Sequence, residues 1–276
     1  MTHIRVMTES DLALGMRLKE QAGWNQTLAD WQRFLALEPQ GCFVAQCDGV
    51  DVGTAAAFVF GPVAWIAMVL VDESMRGRGV GKALMEHSLH YADARRCASV
   101  RLDATPLGRP LYEKLGFVAE FELARFAGEA IGPAGADGEV RDADDAALAQ
   151  AIELDGRVKA TQRGRLLTAM RRFGAHFTVV GQPVRGYAAT RPGCNAAQIG
   201  PVVGDADSGA ALLRTALRRH AGQRVFVDVP LDHAAALAIV RQAGLQEQRR
   251  LTRMCRGQPV WEKIDALWAS SGPEKG

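Results

Sequence analysis

No stretch of this chain approaches the roughly 20 uninterrupted apolar residues that a membrane span needs. Its opening, MTHIRVMTESD, also lacks the apolar core of a secretory leader. Cysteine is scarce: Cys42, Cys47, Cys97, Cys194 and Cys255 are odd in number and show no close-paired spacing. That excludes a disulfide framework or a zinc site and points to a reducing, cytoplasmic setting. Excess charge is missing too. Thirty-three Lys and Arg face 31 Asp and Glu, a net +2, which gives no reason to expect a nucleic-acid partner. What remains, 48% hydrophobic and 23% charged over 276 residues, is a soluble globular chain with length for one large domain or two.

The chain reads as one plan written twice. Residues 128–139, GEAIGPAGADGE, have little to bury and form the expected linker between residues 1–127 and 140–276. Before the linker, IRVM leads to Thr8 and Asp11, a helix-start signal; after it, EVR leads to Asp142 and Asp145. GCFVAQCDGVDVGTAAAFVF predicts two strands with a tight turn at Asp48-Gly49, and HFTVVGQPVRGYAAT is its counterpart. AWIAMVLV then answers AAQIGPVV, VRLDATP answers VFVDVP, and LYEKLGF answers IVRQAGL. Asp103 thereby matches Asp228, and Gly116 matches Gly244. Each half predicts strand, helix, hairpin, strand, helix, strand, helix, strand: an α/β fold with a mixed (α+β) sheet.

One turn is chemically unusual. DESMRGRGVGKALMEH, residues 72–87, joins a strand to a helix through three glycines among basic residues. A dinucleotide fingerprint requires Gly-x-Gly-x-x-Gly, but Gly77, Gly79 and Gly81 alternate. A Walker loop fails as well: Arg76 stands where its first glycine belongs, and Ala83 where its hydroxyl belongs. The pattern Arg76-x-x-Gly79-x-Gly81 instead resembles the acetyl-CoA loop of the GNAT superfamily of N-acetyltransferases. LYEKLGF, about thirty residues further on, resembles that family's other recurrent segment. The two halves together resemble the tandem-GNAT architecture.

The resemblance implies acetyl-CoA as cofactor and a primary amine, of a small molecule, as acceptor. The amides of Gly77, Arg78, Gly79, Val80, Gly81 and Lys82 would converge on a pyrophosphate at the positive end of the following helix, with Arg76 adding charge. The main chain of Val69, Leu70 and Val71 would lie along the pantetheine arm. Tyr112 would be the general acid. Thr105 departs from the family's frequent Asn at that position. Asp103 is the candidate base, with Glu73 and His87 as weaker ones. Trp24, Asn25 and Trp65 are the candidate acceptor contacts, with Tyr187 and Arg191 reaching over from the second half. In that half GDADSGAALL replaces MRGRGVGKAL and Val240 replaces Tyr112, so Asp205 and Asp207 would repel a pyrophosphate and only one cofactor is expected. A sensor of acetyl-CoA without turnover, and transfer to a peptide amine, remain alternatives. The expected assembly is a monomer, as an internal pseudo-dimer, or a homodimer.

Overall fold

The computed structural model describes residues 2–135 and 139–276; the linker stretch 136–138 lies outside the described residues. The first half runs β1 (Thr2–Val6), α1 (Leu12–Gln21), α2 (Leu28–Leu37), β2 (Cys42–Cys47), β3 (Val50–Phe60) and β4 (Val63–Val71). It continues α3 (Val80–Ala94), β5 (Ser99–Ala104), α4 (Arg109–Lys114) and β6 (Val118–Glu129). The second half repeats this order. It has β7 (Val140–Asp142), α5 (Asp145–Lys159), α6 (Gly164–Arg172), β8 (His176–Val180), β9 (Gly186–Arg191) and β10 (Ala197–Gly204). Then come α7 (Ala206–Arg219), β11 (Arg224–Pro230), α8 (Ala234–Gln242), β12 (Gln246–Gly257) and a short extra strand, β13 (Leu267–Ala269).

Local chemistry accounts for the boundaries. Asp48 and Gly49 both take positive φ (49° and 82°), as a two-residue hairpin turn of the primed type demands. Thr8 opens the first helical segment as expected, its amide donating to Asp11 Oδ2 at 2.8 Å. The second copy is capped by Asp144, which accepts from Ala147 N at 2.7 Å, and not by Asp142. Each half has two helices before its hairpin where one was expected. For α2 the missed signal is a capping box, with Thr27 N donating to Asp30 Oδ2 (2.8 Å) and Asp30 N to Thr27 Oγ1 (3.3 Å). Gly116 and Gly244 (φ 85° and 79°) end α4 and α8 with matching caps. Phe117 N donates to Tyr112 O at 3.0 Å and Leu245 N to Val240 O at 3.1 Å.

Among the described residues the strands form a single sheet in the order β1-β2-β3-β4-β5-β12-β6-β11-β10-β9-β8-β7, with β13 on β10. The halves exchange their sixth strands, β6 and β12. β12 pairs antiparallel with β5, β6 pairs antiparallel with β11, and β6 and β12 pair with each other at the centre. The boundary drawn at residue 127 therefore cuts β6, which extends two residues further and lies beside the second half's strands. Alternation of side chains along a strand fixes its faces but not its neighbour, so the exchange has no sequence signature.

Two buried ion pairs hold the exchanged strands. Arg253 on β12 gives Nε and Nη2 to the two carboxylate oxygens of Asp103 at 2.8 and 2.9 Å. Arg125 on β6 does the same to Asp228 at 2.8 Å for each bond. A third carboxylate, Glu262, accepts from Arg253 (3.1 Å) and Lys159 (3.0 Å) and also pairs with Arg101. Helices α1, α2, α5 and α6 share one core across both halves, joining Trp31, Phe34 and Phe58 to Leu167, Met170 and Phe177. The opposite face is covered by α3 and α4 in the first half and by α7 and α8 in the second.

Removing one partner of a buried pair strands the other charge. Asp228→Ala is expected to cost about 3–5 kcal/mol in urea unfolding. Because the strands are exchanged, both halves should still unfold in one transition.

Candidate active site

β4 and β5 are parallel but pair over only three positions, from Val63 opposite Ser99 to Trp65 opposite Arg101, and then part. On its other side, the ladder of β4 with β3 slips between Thr54 and Ala56. There Met68 adopts φ 55°, and its carbonyl accepts from Thr54 Oγ1 at 3.0 Å. The parting opens a cavity of about 990 Å³ whose wall includes residues from both faces of the sheet. Ile66, Leu102 and Val80 belong to the core beneath α3, whereas Ala67 belongs to the shared core beneath α1 and α2.

On the α3 side stands the glycine loop. Asp72 Oδ1 accepts from Ser74 N (3.0 Å) and Ser74 Oγ (2.7 Å), which starts a short 3₁₀ turn over Glu73–Met75. Gly77 and Gly79 then take φ 76° and 82°, and a Cβ on either would meet nothing within 4 Å. Backbone conformation, not crowding, requires glycine at both. Gly79 is the N-cap of α3 and offers no capping side chain. Among the described residues the amides of 77–82 have no main-chain acceptor; the first that does is Ala83 N, bonded to Gly79 O at 3.0 Å. Free N–H groups at a helix start, with Arg76, Arg78 and Lys82 around them, are the chemistry that suits an anion. Val69, Leu70, Val71, Arg76 and Lys82 line the cavity; Arg78 stands exposed beside it.

Tyr112 lines the same cavity from α4, its ring 6.1 Å from that of Phe117. A Cβ at residue 108 would lie 2.9 Å from the Tyr112 ring, so Gly108 makes room for it. Burial pushes the phenol up to about 12. Thr105 is also on the wall, its Oγ1 accepting from Gly108 N at 3.2 Å.

Trp24 lines the α1 side of the cavity, but the other expected acceptor contacts do not. Asn25 is 2% exposed and its amide is consumed by the second half. Its Nδ2 donates to Ala196 O (2.9 Å) and its Oδ1 accepts from the amides of Asn195 (2.9 Å) and Ala196 (3.1 Å). Trp65 is buried in the core, donates to Pro273 O at 3.1 Å and lies under the Arg253 guanidinium. Asp103 reaches the cavity wall, with both its oxygens accepting from Arg253. Glu73 pairs with Arg76 at 3.4 Å, and His87 packs edge-on against Phe43. Tyr187 is fully buried and donates to Asp155 at 2.5 Å. Arg191 is taken by Asp30 (2.9 Å) and Glu274 (2.6 Å). Sequence reasoning missed Gln26, Arg249, Leu251, Pro273 and Glu274, all on the wall and four of them from the second half. None carries a motif.

The second half builds the same gap and closes it. β10 and β11 also pair over three positions, Ala197 to Ile199, before parting. β13 enters there: Val202 sits opposite Ala269, and Ser270 N donates to Asp228 O at 2.8 Å. Trp268 donates to Gly204 O at 3.2 Å and lies so close to the start of α7 that a Cβ at residue 209 would be 2.0 Å from its ring nitrogen. Where the first half uses residues 72–79 for the turn, the second has Asp205 alone, capping α7 through Ser208 N at 2.8 Å. Asp205 and Asp207 thus do not replace the loop's charges; the loop is gone.

Comparison with known proteins agrees with this geometry. Residues 11–117 match the acetyltransferase (GNAT) family and residues 151–269 match an acetyltransferase (GNAT) domain. The chain belongs to the GNAT superfamily of acetyltransferases and has the tandem architecture. It is 33% identical over 106 residues to the uncharacterized N-acetyltransferase YitH of Bacillus subtilis, covering 37% of this chain and 36% of that protein. It is 32% identical over 131 residues to the glucosamine 6-phosphate N-acetyltransferase of Trypanosoma brucei brucei, covering 42% of this chain and 88% of that one. The chain thus spans about a third of the Bacillus protein's length. In fold it is similar to a Pyrococcus horikoshii protein (TM-score 0.87, 23% identity, 100% of this chain and 96% of that one). It is also similar to a tandem GNAT protein from the clavulanic acid biosynthesis pathway (TM-score 0.68, 15% identity, 95% and 100%). No helix among the described residues is long and apolar enough to cross a membrane.

Trp268→Ala is expected to cost about 3–5 kcal/mol in urea melts. Unplugging the second gap does not restore its loop, so calorimetry should find no more CoA bound per chain in this variant than in the wild type.

Proposed function

We propose that this chain is an acetyl-CoA-dependent N-acetyltransferase acting on a primary amine of a small molecule, with its site in the first half. The observation that carries this reading is the meeting, in one cavity, of unpaired loop amides, an unpaired β4 edge and Tyr112. The free N–H groups of 77–82 and the charges of Arg76, Arg78 and Lys82 suit a diphosphate. The main chain of Val69–Val71, without a strand neighbour towards β5, suits the amides of a pantetheine arm. Bound there, acetyl-CoA supplies an acyl thioester.

Tyr112 Oη holds a proton throughout the neutral range, where burial favours the uncharged phenol, and can give it to a leaving thiolate. The acceptor end is walled by Arg249, Leu251 and Glu274 of the second half, which favours a small molecule over a peptide laid across an open groove. The Trypanosoma relative, named for a small amino sugar phosphate, supports the same choice.

Reversing charge in Arg76→Glu with Arg78→Glu should weaken CoA binding at least about tenfold by calorimetry. Tyr112→Phe should lower kcat by roughly 10²–10⁴-fold in a thiol-release assay, with CoA affinity retained. The protonated phenol is the competent form, so the kcat profile should show no descending limb from Tyr112 until the pH approaches about 12. Wild-type protein that gives no heat with CoA would end this reading.

A further inference from the structure

The cavity wall carries an arginine that forms no hydrogen bond or ion pair among the described residues. Arg249 lies on β12 just past a bulge, where the ladder with β6 slips between Glu247 and Arg249. Arg249 lines the cavity, its guanidinium makes no hydrogen bond or ion pair among the described residues, and its Nε is buried. Nearby arginines are engaged: Arg253 by Asp103 and Glu262, Arg191 by Asp30 and Glu274, Arg125 by Asp228. Burial, with Arg125 adding repulsion, brings Arg249 down to about 10, so it stays charged at neutral pH. A half-buried guanidinium left unpaired is costly, and its planar fork of donors matches a carboxylate or phosphate.

The two copies differ here in an informative way. The spacing that matches Arg125 to Arg253 and Leu123 to Leu251 matches Phe121 to Arg249. Beside the open cavity stands an arginine; its counterpart on β6 is the apolar Phe121, whose ring packs against the Arg253 guanidinium.

Among the described residues the same wall has two buried acceptor oxygens without partners, Glu274 Oε2 and Gln26 Oε1. Glu274 Oε1 is already occupied by Arg191 and Lys275. Burial alone would push the Glu274 carboxyl up, but Lys275 and Arg191 outweigh it and hold it well below the usual range. Gly272 leaves room beside the second oxygen, since a Cβ there would sit 2.8 Å from Oε2. Oxygens that only accept are matched by the N–H groups of an amine.

We propose that the acceptor is a primary amine that also bears an anionic group, carboxylate or phosphate. Arg249 holds the anion, while Glu274 Oε2 and Gln26 Oε1 direct the amine. This rests on reading the cavity as the acetyltransferase site.

The test uses the full chain with CoA or acetyl-CoA and matched pairs of amines: ethanolamine and O-phosphoethanolamine, propylamine and β-alanine, glucosamine and glucosamine 6-phosphate. In at least one pair the acidic member should be preferred by about tenfold or more in kcat/KM, and the pair that shows it tells phosphate from carboxylate. Arg249→Gln should bring that ratio near unity and Arg249→Lys should restore part of it, with CoA affinity and melting temperature confirming an intact fold. Equal use of both members, a ratio unchanged in Arg249→Gln, or no acidic amine binding the CoA-loaded protein would each overturn the proposal. Failure of CoA itself to bind would instead undo the reading of the cavity.

Discussion

Reciprocal carboxylate–guanidinium pairing across the centre of the sheet is the constraint on which the rest of the molecule depends. Each half places an aspartate, Asp103 or Asp228, on its fifth strand, and each meets an arginine on the sixth strand of the other half. Both pairs are bidentate and buried, so neither charge can be left alone without a large desolvation penalty. The pairing fixes the register of β12 against β5 and of β6 against β11. By fixing β12, it also sets where Leu251 and Arg249 emerge on the cavity wall.

The same pairing ties the second half into the first half's sheet. Its gap between β10 and β11 is filled by β13, with Trp268 packed where the first half leaves its helix start free. The same tail then continues to the first half, where Pro273 accepts from Trp65 and Glu274 joins the cavity wall. One segment thus closes the second gap and helps wall the first. The duplication is structural in the sheet and asymmetric at the two gaps.

Much of the glycine-loop wall of the cavity was legible in the chain, because its conformation is local. Gly77 and Gly79 announce a backbone with positive φ, the basic residues flank them in sequence, and Tyr112 follows from a short segment on one helix. The acceptor side was not. Asn25 and Trp24 are adjacent in sequence, yet one is tied to the loop at 194–196 and the other faces the cavity. Asp103 reads as a candidate base, and its partner, 150 positions away in the chain, occupies both oxygens. Its match with Asp228 already hinted at a role common to both halves.

The sequence by itself determined the repeated α/β plan, the glycine turn that opens α3 and the loss of that turn from the second copy. These depend on φ preferences, caps and side-chain alternation within a few residues. Tertiary structure alone decided which strands exchange, what fills the second gap and which charged groups line the acceptor end. Those outcomes are set by burial and by electrostatic pairing between groups far apart in the chain. A strand's own residues do not specify its neighbour.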